Sequence, residues 1–297
     1  MAYRTGNYNT FNDLLNIIVN LAQAHGWVVD AQKNNELYLH NATANVYWSV
    51  YNTGSELRSY LNTGYDASSA YHAQPGSSKS ISGNCLTPLA TTVQVMSYDL
   101  FVTADYIHVV VQLPGQIFYH FGCGTLVKAF EFAGGGYCYN TYSSGTGRNA
   151  NGHSYGMGAC TGGDCAVVDA VGVSGQKLRS SGNNSNQSGV FYALGRVNMS
   201  ESAWSYHPEQ YLVRYSQSKY GNILIPAANA IYALDRVGFL RRLGIVPDRY
   251  ECSMVGIYPR QILEIAGDKW MIIPSCYYSQ DLVFGSGTHG VAYRIID

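Results

Sequence analysis

The sequence predicts an α+β protein, predominantly antiparallel β, in which an N-terminal amphipathic helix packs on a β-meander and a long Gly/Ser/Asn-rich insertion follows residue 132. Three observations predict it. Residues 105–128, DYIHVVVQLPGQIFYHFGCGTLVK, set two runs of β-branched and aromatic residues around Pro114-Gly115, where proline presets φ and glycine accepts φ > 0, as a β-hairpin requires. Phe11, Leu14, Leu15, Ile18 and Ala22 recur at three- and four-residue steps and form one apolar helical face. From Ala133 to Ser188 the chain is dominated by runs such as GGG, SSGTG and SSGNNSNQSG, which cannot bury enough apolar surface to fold alone.

The hairpin is the centre of this prediction. A two-residue Pro-Gly turn pairs Leu113 with Gln116, sets Val111 opposite Phe118 and Val109 opposite His120 on one face, and turns His108, Val110, Tyr119 and Phe121 to the other. Both faces then carry large apolar or aromatic side chains, so each needs a covering layer.

The remaining elements follow in order. Thr10 and Asp13 have the spacing of a capping box, and His25-Gly26 ends the helix over 10–25. Short strands are expected at Trp27 to Ala31 and Glu36 to His40, and an alternating strand at Asn45 to Tyr51, where Val46, Trp48 and Val50 form one set. Leu57 to Gly83 reads as a long irregular connection, of the kind that is functional or interfacial more often than idle. Val93 to Thr103 and the hairpin continue a single meander. Within the insertion only Ala166 to Val173 reads as a strand. Strand-like runs return at Phe191 to Ala193, Tyr211 to Tyr215 and Asn222 to Ile225, a short helix is expected in Ala227 to Leu240, and the tail closes with a hairpin over Gln261 to Ile273 and a strand over His289 to Ile296. The organisation is a helix-plus-sheet core at 1–132, the insertion at 133–190 and a β-rich part at 191–297 completing the same body, with two lobes as the alternative.

Composition narrows the function. The 297 residues are 46% hydrophobic but only 12% charged, about half the usual ~25%, and they include 26 tyrosines and 32 glycines. Such a surface repels its own copies weakly and suits contact between subunits; a monomer with a neutral polar coat is the alternative. A net charge of -1 gives no basis for electrostatic capture of nucleic acid. No apolar run approaches the ~18 residues of a spanning helix, and no secretory leader is recognisable at the N-terminus, so no membrane insertion is expected, and the Asn41 and Asn198 glycosylation triplets are read as chance.

Catalytic motifs are lacking: the chain has no GxSxG elbow, HExxH helix or phosphate loop. Cys123 with His120 is the best nucleophile-base pair, but residues three apart on a strand point to opposite faces. A buried cysteine beside a core histidine is the favoured reading. No cofactor or metal site is implied. The closest cysteine pair, Cys160 and Cys165 in CTGGDC, is a candidate disulfide, and Cys85, Cys123, Cys138, Cys252 and Cys276 complete an odd count of seven, leaving a thiol free or bridging subunits. Tyr139, Tyr142 and Tyr155 are candidate interface or sugar-platform residues. Arg236, Arg241, Arg242 and Arg249, with Asp235, Asp248 and Glu251 interspersed, read as ion-paired surface, and Arg241 and Arg242 join the interface candidates.

In order along the chain, helix 10–25, Gly26-Trp27, Glu36-Leu37-Tyr38-Leu39, Gly64-Tyr65-Asp66, Ala73-Gln74-Pro75-Gly76, IHVVVQ and YHFGCGTLVKAFEFAGGGY resemble structural proteins of tailed-bacteriophage particles. In those proteins a similar hairpin precedes a His-Phe-Gly-x-Gly-x-x-x-Lys-like segment and a Gly-Gly-Tyr-like turn, places held here by His120-Phe121-Gly122-Cys123-Gly124 and Gly135-Gly136-Tyr137. The resemblance covers roughly the first 140 residues and, more weakly, Gly267 to Ile296. It implies a non-enzymatic virion component of the neck, collar or tail, built in the host cytoplasm and partnered by its own copies and other neck or tail proteins. The alternative is a tail-tip protein that binds host-surface glycan. The cysteines and the Gly/Ser/Asn tract depart from the family pattern.

Overall fold

A computed structural model describes residues 2–43, 46–54, 57–77, 95–113, 117–140, 166–171, 178–180, 191–193, 197–199, 203–205, 227–234, 240–254, 256–274 and 289–296. The described elements run β1 (Tyr3–Tyr8), α1 (Phe11–Ala24), β2 (Trp27–Lys33), β3 (Glu36–Asn41), β4 (Val46–Asn52), β5 (Leu57–Asn62), β6 (Met96–Val102), β7 (Tyr106–Leu113), β8 (Ile117–Thr125), β9 (Val127–Lys128) and β10 (Ala133–Asn140). Then follow β11 (Ala166–Val171), β12 (Leu178–Ser180), β13 (Phe191–Ala193), β14 (Val197–Met199), β15 (Ala203–Ser205), β16 (Ala227–Leu234), β17 (Leu240–Ser253), β18 (Gln261–Ile265), β19 (Asp268–Pro274) and β20 (His289–Ile295).

The α+β, mainly antiparallel class is as expected, with α1 the one helix among the described residues. The capping box is complete: Asp13 N–H donates to Thr10 Oγ1, and Asp13 Oδ2 accepts from Thr10 N–H. All five residues of the expected apolar face are buried, together with Val19.

The expected single meander divides into two layers. β2-β3-β4-β5 form a four-stranded sheet, and β1-β6-β7-β8-β10-β11-β12 form a seven-stranded central sheet. The inner faces of the two, with α1, share one core containing Phe11, Leu14, Trp48, Val109, Phe121 and Cys138. A C-terminal sheet ordered β13-β16-β17-β20-β19-β18 covers the opposite face of the central one, where Phe101, Tyr106, Val110 and Phe118 pack on Met271, Ile273, Val291 and Tyr293. The doubly apolar hairpin therefore lies in the middle of three layers.

Its register differs by one residue from the expected pairing. Leu113 pairs with Ile117, Val111 with Tyr119 and Val109 with Phe121, so residues 114–116 lie between the paired ends instead of a two-residue turn. A slip of one exchanges every side chain between faces. The observed register places Ile107, Val109, Val111, Tyr119, Phe121 and Cys123 in the apolar core, and gathers both His108 and His120 on the other face, where tyrosines and carbonyls can pair them.

Other expectations are corrected. Leu57–Asn62 is a strand, not part of an irregular connection: Ser59 and Tyr60, both buried, hide its alternation. Ala227–Leu234 is a strand, because pairing with β17 overrides the helix preference of its alanines. β1 and the 14-residue β17 have no expected counterpart; in β17, frequent charges mask the period. Ala133–Asn140 belongs to the central sheet, between β8 and β11, so the Gly/Ser/Asn-rich tract begins after Asn140. The strands expected at 211–215 and 222–225 lie outside the described residues.

Candidate assembly surface

The outer face of the four-stranded sheet carries the tyrosine coat. In β3, β4 and β5, Leu37, Leu39, Val46, Trp48, Val50, Leu57 and Leu61 turn inward, so the alternate residues Tyr38, His40, Tyr47, Ser49, Tyr51, Arg58, Tyr60 and Asn62 turn outward. Residues 63–77 fold back over the middle of this face and are held by a built network. Thr63 N–H donates to Pro75 O. The buried Gln74 amide accepts from Asp66 N–H and donates to Ser69 O at 2.7 Å. Asp66 accepts from Ser68 N–H, Ser68 Oγ and Ser69 Oγ, donors that hold its carboxyl below the usual range.

The loop docks ring on ring. Tyr71 stacks on Tyr51 at 4.1 Å and 14° and tilts against Tyr60, while Tyr65 packs on Tyr38 at 5.2 Å. Ser49 Oγ donates to Tyr71 O, and Lys33 donates to Ala67 O. Beside the loop, His40 Nδ1 sits 2.9 Å from both Asp30 carboxylate oxygens and its ring stacks on Tyr47. Burial, then the Glu36 carboxylate that accepts its hydroxyl, push the Tyr38 phenol up. Tyr47, Tyr51, Tyr65 and Tyr71 remain partly exposed and His72 is exposed. The surface is thus aromatic, rich in hydroxyls and pre-ordered, which lowers the entropy lost when it meets another body.

Behind the hairpin, a buried polar cluster clasps the C-terminal sheet to the central one. Gly122 and Gly124 of the His-Phe-Gly-Cys-Gly segment stand between Tyr106 and His108 on β7 and Tyr137 and Tyr139 on β10. A Cβ on Gly122 would sit 2.2 Å from Ile107 O, and one on Gly124 2.6 Å from Asp105 O. Across the first gap, Tyr139 Oη and His108 Nδ1 lie 2.9 Å apart, and His108 Nε2 lies 3.1 Å from Pro247 O. A carbonyl only accepts, so Nε2 carries the proton and Nδ1 accepts from tyrosine. His120 repeats the arrangement with Tyr293 Oη at 2.8 Å and Pro274 O at 2.8 Å. Arg249 Nε donates to Tyr293 Oη, and its guanidinium lies 4.9 Å from the Tyr139 ring. Burial, aided by Arg249, holds both histidines down at about 3. A second clasp joins the same layers: Arg260 reaches Asp99 Oδ2 at 2.7 Å, Gln112 Oε1 at 2.6 Å and Ser97 Oγ at 2.8 Å.

The predicted site residues fall into three groups. Tyr139 is 1% exposed, a core residue instead of an interface one; on a strand, alternation alone cannot say whether tyrosine faces core or solvent. Cys123, Cys138 and Cys252 are buried thiols, so an inter-subunit bridge would require local unfolding. Cys123 and Cys138 face each other from β8 and β10, and burial pushes the Cys123 thiol up. His120 points to the C-terminal layer and Cys123 to the opposite core, so the two cannot form a nucleophile-base pair. Arg242 is exposed, and Arg241 pairs through its backbone with Ala233. Arg249, assigned to the same ion-paired surface, is instead fully buried. Cys85, Cys160, Cys165, Cys276, Tyr142 and Tyr155 lie outside the described residues. Among the described residues no group of three metal-ligating side chains converges, and no helix is long and apolar enough to cross a membrane.

The Tyr71–Tyr51 platform was not singled out in the sequence; its signal was the alternation of tyrosine through β3 to β5 and the Asp66/Gln74 pair bracketing the loop. Compared with known proteins, the chain matches no family model and no curated sequence.

Proposed function

We propose that the chain is a structural subunit of a tailed-phage particle, assembling as a ring or sleeve at the neck, collar or tail and acting through contact instead of turnover. The observation that carries this reading is the ordered tyrosine face, with loop 63–77 seated ring on ring over β3 to β5. Fixing a loop in this way prepares a surface for a partner of defined shape. The chain's 12% charge leaves little repulsion to oppose stacking of copies. The test is to purify the full chain, measure its assembly state by sedimentation, and locate it in particles by antibody labelling. Closed oligomers and labelling at one station support the reading, whereas a monomer at high concentration that labels no particle overturns it.

A second reading rests on the partly exposed rings of Tyr65 and Tyr71 beside His72. Flat rings pack the apolar faces of sugars while neighbouring polar groups bond hydroxyls, which suits a tail-tip protein that binds host-surface glycan. Saturable binding of the purified chain to host cells, lost in Tyr71→Ala, separates it from the first.

A further inference from the structure

Along the seam between β8 and β10, Thr125 faces Gly136, Gly124 faces Tyr137 and Gly122 faces Tyr139. Facing side chains add to what the backbone bonds of a ladder supply, and glycine removes that contribution from all three pairs. In their midst Cys123 faces Cys138.

Backbone bonds fix what kind of pair the cysteines make. Leu126 N–H donates to Gly135 O, one step past the pair of Thr125 and Gly136, so residues 126 and 135 form a hydrogen-bonded pair. Hydrogen-bonded and non-hydrogen-bonded pairs alternate along an antiparallel ladder, which makes Cys123 and Cys138 a non-hydrogen-bonded pair. The other side of β8 agrees: Thr125 N–H donates to Asp105 O, so the odd-numbered residues of β8 direct their backbone groups to β7 and away from β10. A non-hydrogen-bonded pair sets its Cα atoms about 4.5 Å apart with the side chains close, inside the range of about 4.4–6.8 Å that a disulfide spans. Both cysteines enter the same apolar core, so their sulfurs lie on one face of the sheet. Burial first, then the neighbouring Cys138, push the Cys123 thiol up. Cys252, the third buried thiol, faces Gly290 instead of another cysteine.

We infer that Cys123 and Cys138 are a reversible oxidation site, a dithiol that closes into a cross-strand disulfide and fastens β10 to β8. The oxidant is hydrogen peroxide. One thiol gives up its proton as its sulfur attacks a peroxide oxygen; the O–O bond breaks, water leaves, and a sulfenic acid remains on that cysteine. The second sulfur displaces the sulfenic hydroxyl, which takes the second thiol's proton and leaves as another water. Two electrons pass from the sulfur pair to the peroxide. Both steps need the thiolate and access, so they proceed when the seam opens locally. The new bond closes a loop over residues 124–137 that carries β9 and its pairing with β17. A chain passing from a reducing to an oxidising compartment thereby locks the strand that leads into the Gly/Ser/Asn-rich tract. The inference stands whether or not copies of the chain assemble.

The experiment treats the purified, fully reduced chain with hydrogen peroxide, in buffer and in urea below the unfolding midpoint. Peptides are mapped after cleavage at lysine and at aromatic residues, which separates Cys123 from Cys85. The expected product is a peptide pair joined through Cys123 and Cys138, lighter by two hydrogens than its parts and returned to them by dithiothreitol. The linked chain is expected to melt at least about 3 °C above the reduced one. Four outcomes overturn the inference: both thiols intact after treatment in urea, either thiol carried past sulfenic acid without the link, either cysteine joined to a different one, or a linked chain that melts no higher.

Discussion

His108 and Tyr139 hydrogen-bond across Gly122, their Nδ1 and Oη atoms 2.9 Å apart. The glycine leaves a gap between β7 and β10 that two side chains bridge. Gly122→Ala would place a methyl 2.2 Å from Ile107 O, a backbone atom that cannot swing aside. Denaturant titration is expected to show a loss of about 1–3 kcal/mol, the usual range for overpacking.

The neutral histidines make stability depend on acid. Both are held at about 3 in the fold, against 6.5 for the ordinary side chain. Between those values the unfolded chain binds protons that the folded one refuses, so stability falls as pH drops from about 6.5 toward 3, by up to about 1.4 kcal/mol per pH unit for each histidine. Denaturation midpoints at pH 7, 6, 5 and 4 should decline along this course. His108→Gln should flatten it by one histidine's share.

Arg260 compensates a carboxylate that is fully buried. Arg260→Met leaves Asp99 with the Tyr3 hydroxyl but no cation, and a loss of about 3 kcal/mol is expected on thermal or chemical denaturation. Adding Asp99→Leu to Arg260→Met should recover part of it, since the uncompensated charge is then gone.

The loop over the tyrosine face depends on one amide. Gln74→Ala removes the bonds to Asp66 and Ser69 and should raise the rate of proteolytic nicking within 63–77 several-fold. The thermal midpoint is expected to move little, because the hydrophobic core excludes this loop.

Three cysteines should resist alkylation. Cys123, Cys138 and Cys252 are buried, and Cys123 is also held in its thiol form. Iodoacetamide on the native protein is expected to leave all three unmodified until denaturant is added, as peptide mapping would show.

Much of the scaffold was readable from pattern. α1 followed from apolar spacing and a capping pair, and the hairpin from two β-rich runs about Pro-Gly. The register was not readable, since residues 114–116 serve a two- or three-residue connection equally well and only the layers on either side decide which face takes the histidines. β17 was missed because Arg249 is an inward-facing cation, which breaks alternation for a partner, Tyr293, 44 positions away. Tyr139 was misplaced for a related reason: tyrosine suits core and surface alike, and its bond to His108 spans 31 positions. The candidate surface was half legible, since the importance of the region around Gly64 to Gly76 was read but its docking on β3 to β5 was not.

The clasps that hold the outer layer link positions 154 and 161 apart, from His120 to Pro274 and from Asp99 to Arg260. During synthesis the hairpin leaves the ribosome long before those late residues exist, and one of its greasy sides, with Tyr106, Val110 and Phe118, waits bare. Nascent or prematurely terminated chains are thus the sticky species, prone to clumping or capture by chaperones. Only a chain that has been made through Tyr293 of β20 can cover that side.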